Sequence, residues 1–236
     1  MKPIYVLRHV ASEGPGYFGE LLDRHGLPYR VICLDQGEAL PADLSEISAL
    51  VSMGGPMSVN DDLPWVEPEL ALIRQAVEMD MPVLGHCLGG QLISKALGGQ
   101  VAANPVKELG WLEVYREDNP VATDWLAELP PRFTAFHWHG ESFSVPAGAT
   151  NILASQHCPH QAFTLGNTLA MQCHVEMTAA MVQDWAQRHA DEIARPSATI
   201  QDYAQMTQDL DRRITTLHSR ADRLYTRWLR PLVDLA

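Results

Sequence analysis

Over its first hundred residues the chain alternates short apolar runs with stretches of helical period. Segments 3–10, 29–35, 48–53 and 81–85 read as strands. Between and after them, 17–26 groups Phe18, Leu21 and Leu22, and 66–80 groups Leu70, Ile73 and Val77. In 88–97, Leu88, Leu92, Ile93, Ala96 and Leu97 form one stripe, which Gly98-Gly99 stops. Strands of this length separated by helices of ten to fifteen residues make βαβ units, hence a parallel sheet. The right-handed crossover rule then puts helices on both faces. After residue 100 the pattern changes to strand-like segments, at 101–106, 109–116, 132–137, 150–156, 161–165 and 168–173, with few helices between. These predict mixed or antiparallel additions to the same sheet, followed by a helix over 177–190 carrying Met177, Met181 and Trp185. The expected fold is α/β: a central, mostly parallel sheet with helices on both faces, flavodoxin-like in plan.

The last forty residues differ. Segment 195–236 holds 7 Arg and 5 Asp, net +2, in a chain whose total is 17 − 29 = −12, so 1–194 carries −14. Tyr203, Met206, Leu210, Ile214, Leu217, Ala221, Leu224 and Trp228 recur at three- and four-residue spacings, the stripe of a long amphipathic helix or a helix pair. The division read from this is an α/β domain over 1–194 and a helical extension over 195–236, packed on that domain, on a partner or on a second copy. With 236 residues, 46% of them hydrophobic, the chain can bury a core without disulfides. The acidic balance argues against nucleic acid and anionic membrane surfaces as partners. Arg8 interrupts the first apolar run and no run approaches the ~18 residues of a membrane span, so the expected location is the cytoplasm. There the four cysteines, Cys33, Cys87, Cys158 and Cys173, are expected as thiols.

One of those thiols sits in a telling place. Leu84-Gly85-His86-Cys87-Leu88-Gly89-Gly90-Gln91 lies where a strand pattern ends and a helix pattern begins. A G-x-nucleophile-x-G turn forces its central residue into a sharp corner, and Gly85 and Gly89 lack the Cβ atoms that would clash there. Cys87 is then lifted to the carboxyl edge of the sheet beside a helix N-terminus, whose free N–H groups favour a thiolate. A thiol nucleophile needs a base, and the base an orienting group. His174 ends the apolar run 169–173, and Glu176, two residues on, shares its face if the segment is extended. Gly54-Gly55-Pro56 closes another strand with bare N–H groups suited to an oxyanion. Arg8 and His9 end the first strand, where open α/β sheets place ligand crevices. His157-Cys158-Pro159-His160 lacks metal-ligand spacing, and no metal site is expected.

Gly-Gly-Pro, Gly-His-Cys-Leu-Gly-Gly-Gln and Cys-His-Val-Glu, in this order, resemble the motifs of class I, triad-type glutamine amidotransferases, above all the glutaminase domain of GMP synthase and its stand-alone relatives. The likeness spans roughly 45–185. It implies Cys87 as nucleophile, His174 as base, Glu176 as orienting carboxylate, and the N–H groups of Gly55 and Leu88 as oxyanion hole. Gly54, Gln91, His139, Gly140 and Glu141 fall where the family holds the substrate's amino-acid end. No metal or organic cofactor is implied. The chain departs from the family in Cys173 and Val175 flanking His174, in His86 where Ile or Val is usual, and in Glu141 for a commoner Asp.

The implied activity is hydrolysis of the glutamine γ-amide through a Cys87 thioester. Nothing resembles a phosphate loop, so the chain is expected either to pass ammonia to a separate synthase subunit or to act alone. Hydrolysis of γ-glutamyl peptides uses the same thioester with a larger leaving amine. The third reading is a non-enzymatic interaction protein on this scaffold.

Overall fold

The computed structural model describes residues 1–233; the last three residues of the expected extension lie outside that range. Its strands are β1 Ile4–Arg8, β2 Tyr29–Cys33, β3 Ala49–Ser52, β4 Val83–His86, β5 Val101–Arg116, β6 Arg132–Phe143, β7 Thr150–Ser155, β8 Ala162–Leu165 and β9 Thr168–Met171. The helices are α1 Gly16–Arg24, α2 Val66–Glu78, α3 Leu88–Ala96, α4 Pro120–Trp125, α5 Ala179–Arg188, α6 Tyr203–Thr207 and α7 Leu210–Leu229. All strands join one sheet in the order β2-β1-β3-β4-β9-β8-β7-β5-β6. Pairing is parallel from β2 through β4 to β9 and antiparallel from β9 to β6.

Side-chain alternation along the strands builds two cores. Ile4, Val6, Val51, Leu84, Leu169 and Met171 point into one, with Phe18 and Leu22 of α1, Trp185 of α5 and Leu217, Leu224 and Trp228 of α7. Leu7, Leu50, Val83 and Ala170 point into the other, with Leu70 and Ile73 of α2 and Leu92 and Ile93 of α3. Each central strand is apolar on both sides because helices cover both faces. The α/β architecture expected from the alternation is the one found.

Three details differ from the sequence reading. The expected strands 101–106 and 109–116 are one 16-residue strand whose register against β6 shifts between Ala103 and Glu108. Pro105, which has no N–H for the ladder, sits inside that irregularity. Strand β6 runs to Phe143, beyond the expected 132–137, so segment 138–141 is extended backbone. Helix α5 starts after Thr178, whose side chain caps it, and Met177 stays outside. The C-terminal stripe resolves into a pair: Gln208 is extended and Asp209 takes a left-handed φ of 52°, breaking α6 from α7. Among the described residues no helix is long and apolar enough to cross a membrane.

Candidate active site

The carboxyl ends of β1, β3, β4 and β9 meet at one edge of the sheet, where a topological crevice forms. Cys87, between β4 and α3, holds φ 49° and ψ −105°. A non-glycine residue at positive φ is strained, and the surroundings must hold it there. They do so by close approach. A Cβ on Gly85 would lie 2.5 Å from Gly89 backbone, and one on Gly90 would lie 2.5 Å from the Met171 carbonyl. One on Gly89 would overlap the Ser52 carbonyl of β3 outright. The Cys87 N–H is tied to Met171 O at 2.8 Å. Gly89→Ala is therefore expected to cost more than about 3 kcal/mol, because the clash is with backbone that cannot rotate away; chemical denaturation of the variant measures it.

His174 and Glu176 follow β9. The His174 Nδ1 lies 2.5 Å from Glu176 Oε1, and both side chains are buried. Burial lowers the proton affinity of His174, but the Glu176 carboxylate and the Cys87 thiol together raise it well above the usual imidazole value. Burial alone would raise the Glu176 carboxyl, yet His174 and His86 hold it down to about 2. His174 Nε2 makes no hydrogen bond, so the ring keeps one nitrogen for the thiol side. Trp185 packs edge-on against the ring, centroids 5.0 Å apart.

The thiol itself donates toward Trp138 O at 3.7 Å and accepts from Gln172 Nε2 at 3.5 Å. Gln91 Nε2 donates to Gln172 Oε1 (3.2 Å) and to Glu141 O (3.3 Å), linking α3 to β6 around the sulfur. Among the described residues neither Gly55 N–H nor Leu88 N–H donates a hydrogen bond. The Gly54-Gly55 turn is braced from below: the buried His9 ring contacts Gly54 O (3.3 Å) and Glu69 (2.9 Å), and Ser52 Oγ donates to Glu69 (2.6 Å).

Cys87 opens into a cleft of about 370 Å³ that also takes in Glu13, Ser58, Lys107, Trp138, Trp185 and Glu192. Cys87 is 7% exposed at its floor. Gly55, Gln91, Gly140 and Glu141 all face this cleft. Glu141 accepts from Ser58 Oγ at 2.8 Å. His139 reaches the cleft, but its ring is engaged inside the protein, with Glu141 O at 3.1 Å and Glu108 Oε2 at 3.0 Å. Arg8 is turned to Asp35 (2.9 Å) and does not line the cleft. His86 lies behind the His174–Glu176 pair, fully buried; its Nε2 shares a hydrogen bond with Tyr225 OH of α7 (2.9 Å) and sits 3.7 Å from Glu176 Oε2. Burial holds its proton affinity below the usual imidazole value despite that carboxylate.

Two polar groups at the sulfur were not singled out from sequence. Gln172 could have been found, since it shares the 172–174–176 alternation. Glu13 sits in the loop after β1, with its carboxylate against Gly54, and carries no motif. Burial, aided by Glu176 and opposed by His174, lifts its pKa to about 7. A carboxyl raised in the folded state lowers stability progressively as pH climbs from the unfolded value to about 7, and by a constant amount above that. Glu13→Gln is expected to raise the thermal midpoint at pH 8 by a few degrees and to change it little at pH 4, where both forms are neutral; paired melting curves check this.

The class I glutamine amidotransferase family model matches residues 23–184. The chain belongs to that family. Across 81% of its length it is 31% identical to the glutamine amidotransferase-like protein YfeJ of Salmonella typhimurium, covering 82% of that protein. The crystal structure of a glutamine amidotransferase from Methylobacillus flagellatus superposes over the whole chain and 97% of its own, with a TM-score of 0.95 and 42% identity. One from Thermotoga maritima gives 0.86 at 27% identity, covering 97% of this chain and 98% of its own. GMP synthase of Bacillus licheniformis is 34% identical over 116 residues, which is 49% of this chain but only 21% of that enzyme. The family's general chemistry is release and transfer of the glutamine amide.

Proposed function

We propose that the protein hydrolyses the γ-amide of glutamine through a γ-glutamyl thioester on Cys87. The observation that carries this reading is the strained Cys87 corner, which opens into the same cleft as Gly55 and has the His174–Glu176 pair beside its thiol. Glu176 accepts from His174 Nδ1–H and keeps Nε2 turned to the thiol. His174 Nε2 takes the thiol proton, and Cys87 Sγ forms a bond to the amide carbon. The N–H groups of Gly55 and Leu88 hold the resulting oxyanion. Its collapse breaks the carbon–nitrogen bond, and the imidazolium gives its proton to the departing ammonia. Water, deprotonated by the same ring, then adds to the thioester; glutamate leaves and the proton returns to sulfur.

Glu141, Gln91 and Gly140 hold the amino-acid end of the substrate in this reading. Similarity to GMP synthases supports a separate synthase subunit as ammonia acceptor, by analogy with enzymes more than twice as long. The cleft at Cys87 also takes in Trp138, Trp185, His189 and the Lys107–Glu192 ion pair. That extent favours γ-glutamyl peptide hydrolysis as a second reading, since a leaving amine larger than ammonia has somewhere to sit. Glutamate release from glutamine, measured beside release from γ-glutamyl dipeptides, decides between them: the first reading expects the higher kcat/KM on glutamine. Turnover of neither substrate, alone or with a synthase supplied, would reject both.

A further inference from the structure

Behind the cleft-lining segment 138–141 lies a buried group that the proposed reaction does not use. Glu108 of β5 and His137 and His139 of β6 each offer one ligand atom, and the three atoms lie within 4.8 Å of one another. His137 and His139 share a face because they are two apart on one strand, and Glu108 is the register partner of His139. Gln161, just before β8, places its amide against both Glu108 Oε2 (2.7 Å) and His139 Nε2 (3.3 Å).

Taken as hydrogen bonds alone, this cluster does not balance. His137 is completely buried and neither of its ring nitrogens makes a hydrogen bond. Its Nδ1 faces Glu108 Oε2 at 3.9 Å. Gln161 Oε1 is buried without a partner. Orphaned polar atoms in this number are costly in a protein interior.

We propose that Glu108, His137, His139 and Gln161 bind one divalent transition-metal ion, of the class of Zn²⁺. A tetrahedral ion with bonds of about 2.0–2.2 Å needs ligand atoms about 3.3–3.6 Å apart, and the separations given above, 2.7 to 3.9 Å, bracket that span. His139 then donates Nδ1–H to Glu141 O, the usual second-shell arrangement of a metal-bound imidazole, and offers Nε2 to the ion. Glu108 supplies the negative charge, steadied by Ser155 Oγ at 2.7 Å. Turning over the Gln161 amide, whose two ends are alike in shape, points its oxygen at the ion. Two imidazoles with oxygen ligands suit Zn²⁺ better than Mg²⁺ or Ca²⁺. The ion would clamp β5, β6 and the chain leading into β8, and so stiffen segment 138–141.

The test uses the full chain after chelator dialysis and does not depend on turnover. Calorimetric titration with Zn²⁺ alone is expected to show one ion per chain, bound at micromolar concentration or tighter, and to raise the thermal midpoint. Co²⁺ in its place is expected to give visible ligand-field bands with no thiolate charge transfer. Glu108→Gln and His137→Leu are each expected to weaken Zn²⁺ binding at least about 100-fold. Absence of uptake, or affinity unchanged in both variants, would overturn the proposal. So would a thiolate charge-transfer band that vanishes in Cys87→Ala, because it puts the ion on the cleft sulfur. If both variants fail to fold, the Co²⁺ spectrum of the unaltered protein decides alone.

Discussion

Cys87→Ala is expected to lower kcat on glutamine, or on whichever γ-glutamyl compound proves the better substrate, by about 10⁴-fold or more. Removing the nucleophile of a triad leaves only binding and the oxyanion hole to act on the substrate. Among the described residues no other cysteine lines the cleft: Cys33 ends β2, at the edge of the sheet. Cys158 and Cys173 are both buried, and burial pushes both thiols upward, Cys173 very far. Fold loss does not confound the result, because alanine adopts the 49° φ of this corner at much the same cost as cysteine, and the thiol makes only two weak sulfur contacts. Far-ultraviolet circular dichroism and the thermal midpoint should match the parent. Retention of more than about one part in a hundred of the activity would show that the sulfur is not the attacking atom.

The second large effect concerns α7. Removing residues 202–236 is expected to leave a chain with no cooperative unfolding transition. Helix α7 buries eight residues: Leu210, Ile214, Leu217, Ala221, Leu224, Tyr225, Trp228 and Leu229. They belong to the same core as β1, β3 and β9. Each large apolar side chain contributes about 1.5–3 kcal/mol by burial, so together they match or exceed the whole stability of a typical domain, about 5–15 kcal/mol. Polar ties add to this. Trp228 Nε1 donates to Val83 O (3.1 Å), His218 Nε2 contacts Met177 O (2.9 Å), and Tyr225 meets His86 directly behind Glu176. The helix therefore covers the sheet and also backs the His174–Glu176 pair. Denaturant titration and near-ultraviolet circular dichroism of the shortened chain test this; a shortened chain that unfolds cooperatively near the parent midpoint would contradict it.

The parts legible in the sequence were those written in local chemistry. Glycines at 85 and 89 around a cysteine announce a tight corner because no other residue fits the backbone approach seen there. The 174–176 alternation announces a shared face because strands repeat every two residues. Both are short-range rules. Long-range pairing was the harder part. Pro105 split what is one strand into two apparent ones, since local periodicity reads a ladder defect as an end. Glu13 was missed because nothing near it in the chain marks it; its place against Gly54 is set by β1 and β3 lying side by side. Sequence alone does not group Glu108 with His137 and His139, because Glu108 reaches them through strand register. The role of His86 depends on Tyr225, 139 positions away.

The most direct measurement is mass spectrometry of the intact protein and its peptides after rapid acid quench from glutamine or a γ-glutamyl dipeptide. The account predicts a γ-glutamyl adduct on the peptide containing Cys87, absent from Cys87→Ala and discharged by hydroxylamine as a thioester should be. Efficient turnover with label on Cys33, Cys158 or Cys173 instead, or undiminished turnover by Cys87→Ala, would contradict it.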